Sequence, residues 1–153
     1  MKKLSVVLLF LVFGPAVFAQ DNKIDAGLGP EWNMNSPHNF AAGAVLNFNY
    51  NLPGDFAVGF NLGASTNFFG VKVIEAGALL RNYVLRGDHS GLFLQIDAGT
   101  FIIHEDGDVI YLIELGVRGG YRFHLGSLFY VDPYIRFGYP FAFGIGVMAG
   151  FRF

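Results

Sequence analysis

The sequence predicts an all-β fold of eight antiparallel strands that follow one another along the chain. Two observations predict it. Apolar residues alternate with small or polar residues over eight segments, which is the two-residue period of a strand. Turn-forming residues, mainly Gly, Pro, Asn and Asp, separate these segments. The 153 residues are 53% hydrophobic and 14% charged, against ~25% charged in an ordinary soluble domain. The strands must therefore cover an unusually large apolar surface.

A short apolar segment precedes the first strand. Two lysines give it a positive start, residues 4–13 are apolar apart from one serine, and small residues precede Gln20. This order is typical of a secretory signal peptide and is too short for a membrane-spanning helix. We therefore expect residues 1–19 to be a cleaved signal peptide and residues 20–153 to form a single domain.

Charge and cysteine content exclude several classes of function. Removal of the signal peptide leaves 8 basic residues (10 minus 2) and 12 acidic ones, a net charge of −4 that offers no basic surface to nucleic acid. The absence of cysteine excludes a disulfide scaffold and a Cys-ligated zinc or iron–sulfur site. We therefore expect neither a nucleic-acid partner nor a cofactor.

The first four strands are predicted over residues 23–30, 40–50, 56–68 and 73–85. In each, one alternate set is apolar and the other is small or polar, as a strand with two different faces requires. The first is the weakest, because it is short. The apolar sets are Ile24, Ala26 and Leu28; Phe40, Ala42, Ala44, Leu46, Phe48 and Tyr50; Phe56, Val58, Phe60, Leu62, Ala64 and Phe68; and Ile74, Ala76, Ala78 and Leu80.

The last four strands are predicted over residues 92–103, 109–124, 128–138 and 142–153. Pro133 lies inside the seventh and cannot donate a ladder hydrogen bond, so we expect a bulge or a local break there. Short connections make the whole an antiparallel meander: residues 33–39, 51–55, 69–70, 86–91, 105–108, 125–127 and 139–141.

Alternation alone does not say which face of a closed barrel looks outward. A soluble carrier would place the apolar face inside around a ligand, and a membrane barrel would place it outside. The second is favoured because the apolar face carries no charge in the strands as predicted, and because the mature chain has only two lysines, Lys23 and Lys72. Aromatic residues also gather at both strand ends, as belts at two interfaces: Trp32, Phe40, Phe68, Tyr111 and Phe143 at one, and Tyr50, Phe56, Tyr121, Phe123, Phe129, Phe151 and Phe153 at the other.

The end of the chain carries the most specific motif. Val147, Ala149, Phe151 and the terminal Phe153 alternate up to a final aromatic residue. With the eight strands, this ending resembles the small eight-stranded outer-membrane barrels of the OmpA-transmembrane, OmpX and OmpW types. The resemblance implies a monomeric transmembrane β-barrel in the bacterial outer membrane, with both termini periplasmic, lipid around it, and recognition of its last residues by the barrel assembly machinery. The connections at the other end are short for this family, which leaves little surface for an adhesin.

Ten charged side chains are predicted to point into the lumen: Asp25, Glu75, Asp97, Glu114, Asp132, Arg81, Arg118, Arg122, Arg136 and Arg152. Burying an unpaired ion costs several kcal/mol, so charges of opposite sign should pair. Antiparallel neighbours suggest Arg81 with Asp97 and Arg118 with Asp132. Such a network predicts a lumen filled by side chains, and an ion path or proton relay is the alternative.

The sequence therefore predicts a structural or surface-interacting barrel that is not an enzyme. A lipid-modifying enzyme would need a nucleophilic serine with a base, and Ser36 near His38 has no orienting carboxylate except Glu31. A narrow conduit for small apolar solutes is a second alternative, which predicts an apolar pocket at the outer rim around a set of inward residues: Leu79, Phe93, Phe101 and Met148. The four histidines are dispersed, so we expect no metal site.

Overall fold

The computed structural model describes residues 23–34, 40–85, 89–105 and 107–153, which form strands and no helix. The predicted signal peptide lies outside these residues. No helix in them is long and apolar enough to span a membrane, a finding about helices alone. The strands are β1 (Ile24–Met34), β2 (Ala41–Asn51), β3 (Phe56–Thr66), β4 (Lys72–Tyr83), β5 (Gly91–Glu105), β6 (Asp108–Leu125), β7 (Phe129–Tyr139) and β8 (Phe143–Arg152).

The strands form a closed barrel in chain order. Each pairs antiparallel with the next, and β8 returns to pair with β1, so no sheet edge is left. We call the end that holds Ile24 and Phe153 the terminal end, and the opposite end the distal end. Glycines with positive φ make tight turns at both, with Gly54 and Gly126 at the terminal end and Gly107 at the distal end. The predicted eight-stranded meander is confirmed.

The apolar alternate set of every strand faces outward. Mid-strand residues such as Leu62, Ile113 and Leu115 have exposed fractions of 44%, 70% and 60%. The residue on either side of each of them along the strand is buried or half-buried. This is the arrangement expected of a membrane barrel and the opposite of a soluble carrier. One detail differs from prediction. Because β4 begins at Lys72, the outer face of the described strands does carry one charge, at the distal rim.

The first strand is longer than its sequence predicts. β1 continues beyond Pro30 to Met34, because Pro30 still pairs with Ala44 of β2. Proline has no N–H to donate, and this affects the side of Pro30 that faces β8. There the β1–β8 ladder is interrupted between Leu28 and Glu31 and resumes in the same register.

Pro133 has a similar effect in β7. The β6–β7 ladder is interrupted opposite Asp132 and Pro133 and resumes without a shift in register. The expected irregularity is therefore a local break and no bulge, since a bulge would add a residue to one strand. On its other side Pro133 pairs with Val147 of β8, so the strand itself is continuous.

Candidate functional site

The terminal half of the lumen is filled by an ion-pair cluster. Asp132 on β7 accepts a hydrogen bond from Arg81 on β4 at 2.7 Å and two from Arg122 on β6 at 2.8 and 2.9 Å. Arg122 also pairs with Asp25 on β1, which Arg152 on β8 approaches at 3.3 Å. All of these side chains are buried except that of Arg152, which is partly exposed. The fork of Arg122 on Asp132 is the bidentate geometry that makes such pairs strong.

In the distal half, Arg118 of β6 lies at the centre of three carboxylates. Its guanidinium is 2.9 Å from Asp97, 2.8 Å from Glu75 and 3.3 Å from Glu31. These acids come from β5, β4 and β1, so the arginine reaches across the barrel as well as to its neighbour. Three carboxylates around one guanidinium leave an excess of negative charge, which a second arginine must offset.

Arg136 of β7 supplies that second positive charge. It donates to Glu75 at 2.8 Å, to Glu31 at 3.0 Å and to Glu114 at 2.8 Å. The hydroxyl of Tyr134 donates to Glu31 at 2.7 Å, so this carboxylate is held from two sides. The distal half therefore holds a network of two arginines and four acids, in which each acid has at least one charged partner.

Gln95 joins the two halves. It accepts from Arg81 at 2.8 Å and donates to Asp97 at 2.6 Å. The guanidinium of Arg81 also lies 4.0 Å from the centre of the Phe93 ring, which fills the space beside it. Three other guanidiniums lie over rings: Arg122 over Tyr130 at 3.7 Å, Arg118 over Tyr134 at 5.3 Å and Arg136 over Phe101 at 5.3 Å. Charged groups and aromatic rings together leave the middle of the lumen occupied.

The structure places all ten predicted charges inside the barrel, but the two predicted pairings are wrong. Arg81 bonds to Asp132 and Arg118 bonds to Asp97, the reverse of the expected assignment. Adjacent-strand reasoning fails because the lumen is narrow. Arg81 lies opposite Gln95 in the β4–β5 ladder and extends across to β7, where its acid lies.

Sequence reasoning missed Glu31. It lies between the predicted first strand, which ends at Pro30, and the predicted connection that begins at residue 33, whereas the structure shows that it continues the inward alternation of Asp25, Gly27 and Gly29. Glu31 is 1% exposed and bonded to two arginines, so it cannot orient a histidine at the rim. The other members of the considered catalytic set, Ser36 and His38, lie outside the described residues.

The distal mouth has a different character from the middle of the lumen. Inward residues there are apolar, and Ala41, Val71, Val73, Phe101 and Phe141 form one buried cluster. Above this cluster lies a cavity of about 290 Å³. Its lining is mainly apolar: Phe40, Ala41, Asn67, Val71, Val73, Ile103, Glu105, Ile110, Leu112, Pro140 and Phe141.

The apolar pocket expected from sequence is placed incorrectly. Leu79, Phe93 and Met148 are buried at other depths, and Phe93 and Met148 pack in a second cluster with Tyr83 and Tyr134. Of the four expected residues, Phe101 alone lies in the distal cluster. Among the described residues, no group of three His, Asp or Glu side chains is placed to hold a metal ion.

A closed eight-stranded meander with an apolar exterior and a charged interior is the fold of the small outer-membrane β-barrels. Solved structures of that class are similar to this chain. Neisserial surface protein A aligns with a TM-score of 0.58 and 16% identity, covering 84% of this chain and 94% of its own.

Two further solved structures of outer-membrane barrels are similar to this chain. The N-terminal barrel domain of Pseudomonas aeruginosa OprF has a TM-score of 0.58 and 13% identity, over 87% of this chain and 98% of its own. The Yersinia pestis outer-membrane protein Ail in a nanodisc has a TM-score of 0.58 and 13% identity, over 87% of this chain and all of its own. No protein-family model and no curated protein sequence matches the chain. At these identities the likeness concerns the fold.

Proposed function

We propose that this chain is an integral, non-enzymatic protein of the bacterial outer membrane, with a structural or surface-interaction role and a lumen filled by its own side chains. The observation that carries the proposal is the combination of an apolar exterior with a paired ionic interior. An apolar exterior needs hydrocarbon around it, and closure satisfies every strand edge within that hydrocarbon. The interior supports a filled barrel because eight strands leave room for little beyond side chains.

The orientation follows from the two ends of the barrel. The start of β1, the end of β8 and the described parts of the connections after β2, β4 and β6 lie at the terminal end, which we assign to the periplasm. Short periplasmic turns are the rule in such barrels. The distal end, with its apolar mouth, would then face the outside of the cell.

A conductance measurement tests the filled lumen. The purified barrel in a planar bilayer should show no steady ion conductance, because Arg118 and Arg136 are held by carboxylates across the whole section. Fractionation should place the protein with the outer membrane, and detergent should be needed to extract it. Stable channels that Arg118→Ala abolishes would contradict the filled lumen, and extraction into plain buffer would contradict the membrane assignment.

The last strand supplies the proposed signal for the assembly machinery. Val147, Ala149 and Phe151 point outward on β8, and Phe151 contacts Phe129 with ring centres 4.7 Å apart. Phe153→Ala should lower the amount of barrel inserted in cells without changing folding of the purified chain into detergent. Equal insertion of the variant and the parent would remove the basis for this role.

The conduit for apolar solutes is less well supported. Its expected pocket does exist at the distal mouth, although with other residues. Below that mouth, Phe101 lies against the guanidinium of Arg136, and the paired charges follow. A solute would have to displace this network to cross the membrane.

A further inference from the structure

The distal cavity has walls that differ from every other part of the lumen. Along β4 the inward residues change from Arg81 and Glu75 to Val73 and Val71 as the strand approaches the distal end. On β6 the same change runs from Glu114 to Leu112. On these two strands, therefore, the charged interior gives way to apolar side chains at the mouth.

The cavity has a floor. The rings of Phe101 and Phe141 meet edge to face, with centres 5.3 Å apart and planes at 81°. Beneath them the guanidinium of Arg136 lies 5.3 Å from the Phe101 ring. This aromatic pair lies between the chamber and the ion pairs, so the described residues make the cavity blind toward the charged lumen. A blind apolar chamber can retain a molecule but cannot pass it on.

The polar groups of the lining can offer few hydrogen bonds to a molecule inside the cavity. The side-chain carbonyl of Asn67 accepts from the backbone N–H groups of Phe69 and Val71, so it is used within the β3–β4 turn. Among the described residues that line the cavity, Glu105 is the one ionisable side chain, and the lining holds no cationic side chain that could pair with an anion. Apolar contact therefore has to supply the binding free energy.

We propose that this chamber is a binding site for one small, neutral, apolar molecule, of the size of a medium-chain aliphatic alcohol. Its volume of about 290 Å³ lies at the small end of the ~300–1,000 Å³ range of ligand pockets. Apolar cavities take up small hydrocarbons. The site is independent of conduction, because the floor keeps the ligand out of the charged lumen.

The test uses 1-octanol as the probe and the full barrel in nanodiscs, with methyl groups observed by NMR. Octanol should give saturable shifts on the methyls of Val71, Val73 and Leu112. Octanoate should bind there at least tenfold more weakly, because a carboxylate buried among apolar walls without a cationic partner loses its hydration uncompensated. Shifts that grow linearly and affect outward methyls such as Ile74 and Leu80 alone would mean partition into lipid, and would overturn the proposal. Equal binding of octanoate would overturn the preference for a neutral ligand.

Paired substitutions separate the chamber from the lipid. Val73→Trp fills the cavity and should weaken octanol binding at least tenfold, whereas Ile74→Trp on the lipid side should leave it unchanged. Retained heat-modifiable migration on gels shows that each variant is folded. If Val73→Trp does not fold, Leu112→Phe with Ile113→Phe as its control makes the same comparison. Unchanged binding in a folded cavity-filling variant would overturn the proposal.

Discussion

Glycines on the inner wall set how much space the aromatic side chains have. A Cβ on Gly27 would lie 2.6 Å from the hydroxyl of Tyr130, and one on Gly120 would lie 2.6 Å from the carbonyl oxygen of Pro133 and 2.8 Å from Cβ of Tyr134. Real side chains do not approach this closely, so these glycines are required by close packing on the inner face of the barrel wall. Their backbone angles are ordinary, which means that space and not conformation selects them.

Gly120→Ala should therefore destabilise the barrel by ~1–3 kcal/mol, the usual cost of overpacking a filled core. Gly119→Ala is the matched control. It is the neighbouring residue on the lipid side, where a Cβ would meet only Leu94 at 3.7 Å. Urea unfolding in lipid vesicles measures both free energies. A loss of the same size in the two variants would show that the lumen is less tightly filled than described.

Asp132 is the residue on which the terminal cluster depends most. It bonds to Arg81 and Arg122 and is fully buried. Asp132→Asn would leave both arginines with less charge compensation, and breaking a buried ion pair costs ~3–5 kcal/mol. The same substitution at the exposed Asp108 should cost less than ~1 kcal/mol. Equilibrium unfolding of the two variants makes the comparison, and a neutral Asp132→Asn would argue against the network.

At the scale of the element, the strands were predictable because the alternation of residue types has a physical cause on each of the two faces of a strand. Lipid excludes charge from one face, and the narrow lumen accepts small, polar or paired residues on the other. The predicted bounds of β2, β3 and β7 differ from the observed ones by no more than two residues at each end. β1 is the exception, because the sequence does not distinguish a proline inside a strand from a proline that ends one.

The outward row of β6 provides a test of the lipid contact. Val117 lies near the middle of this strand and pairs with Ile96 and Phe137, whereas Val109 lies at its distal end. Val117→Arg should cost ~2–4 kcal/mol and Val109→Arg ~0–1 kcal/mol, because the penalty for arginine falls from the midplane to the interface. Unfolding from lipid vesicles gives both values. Equal costs would place the membrane at a different height on the barrel.

At the scale of the whole molecule, sequence identified ten inward charges but not Glu31, and it did not identify which of the charges meet. Whether a side chain faces the lumen depends on whether its position in the strand is odd or even. Which partner it meets depends on its depth in the barrel, on side-chain length and on the curvature of all eight strands. Arg118 illustrates the limit, since its partners lie on three different strands. The distal chamber was misplaced for the same reason. The alternation along each strand shows that Val73 and Phe93 both face inward, but it does not show how deep in the barrel each of them lies.

The separation of the ion-pair partners along the chain has a consequence for how the protein is made. Asp25 pairs with Arg122, 97 residues away, and with Arg152, 127 residues away. Until the final strand reaches the first, Asp25 has neither of these arginines beside it and must keep its hydration, which hydrocarbon does not allow. A half-built cylinder therefore cannot rest in the bilayer as a stable intermediate. Insertion and circumferential closure must occur as one cooperative event, with water retained inside until the last hairpin docks.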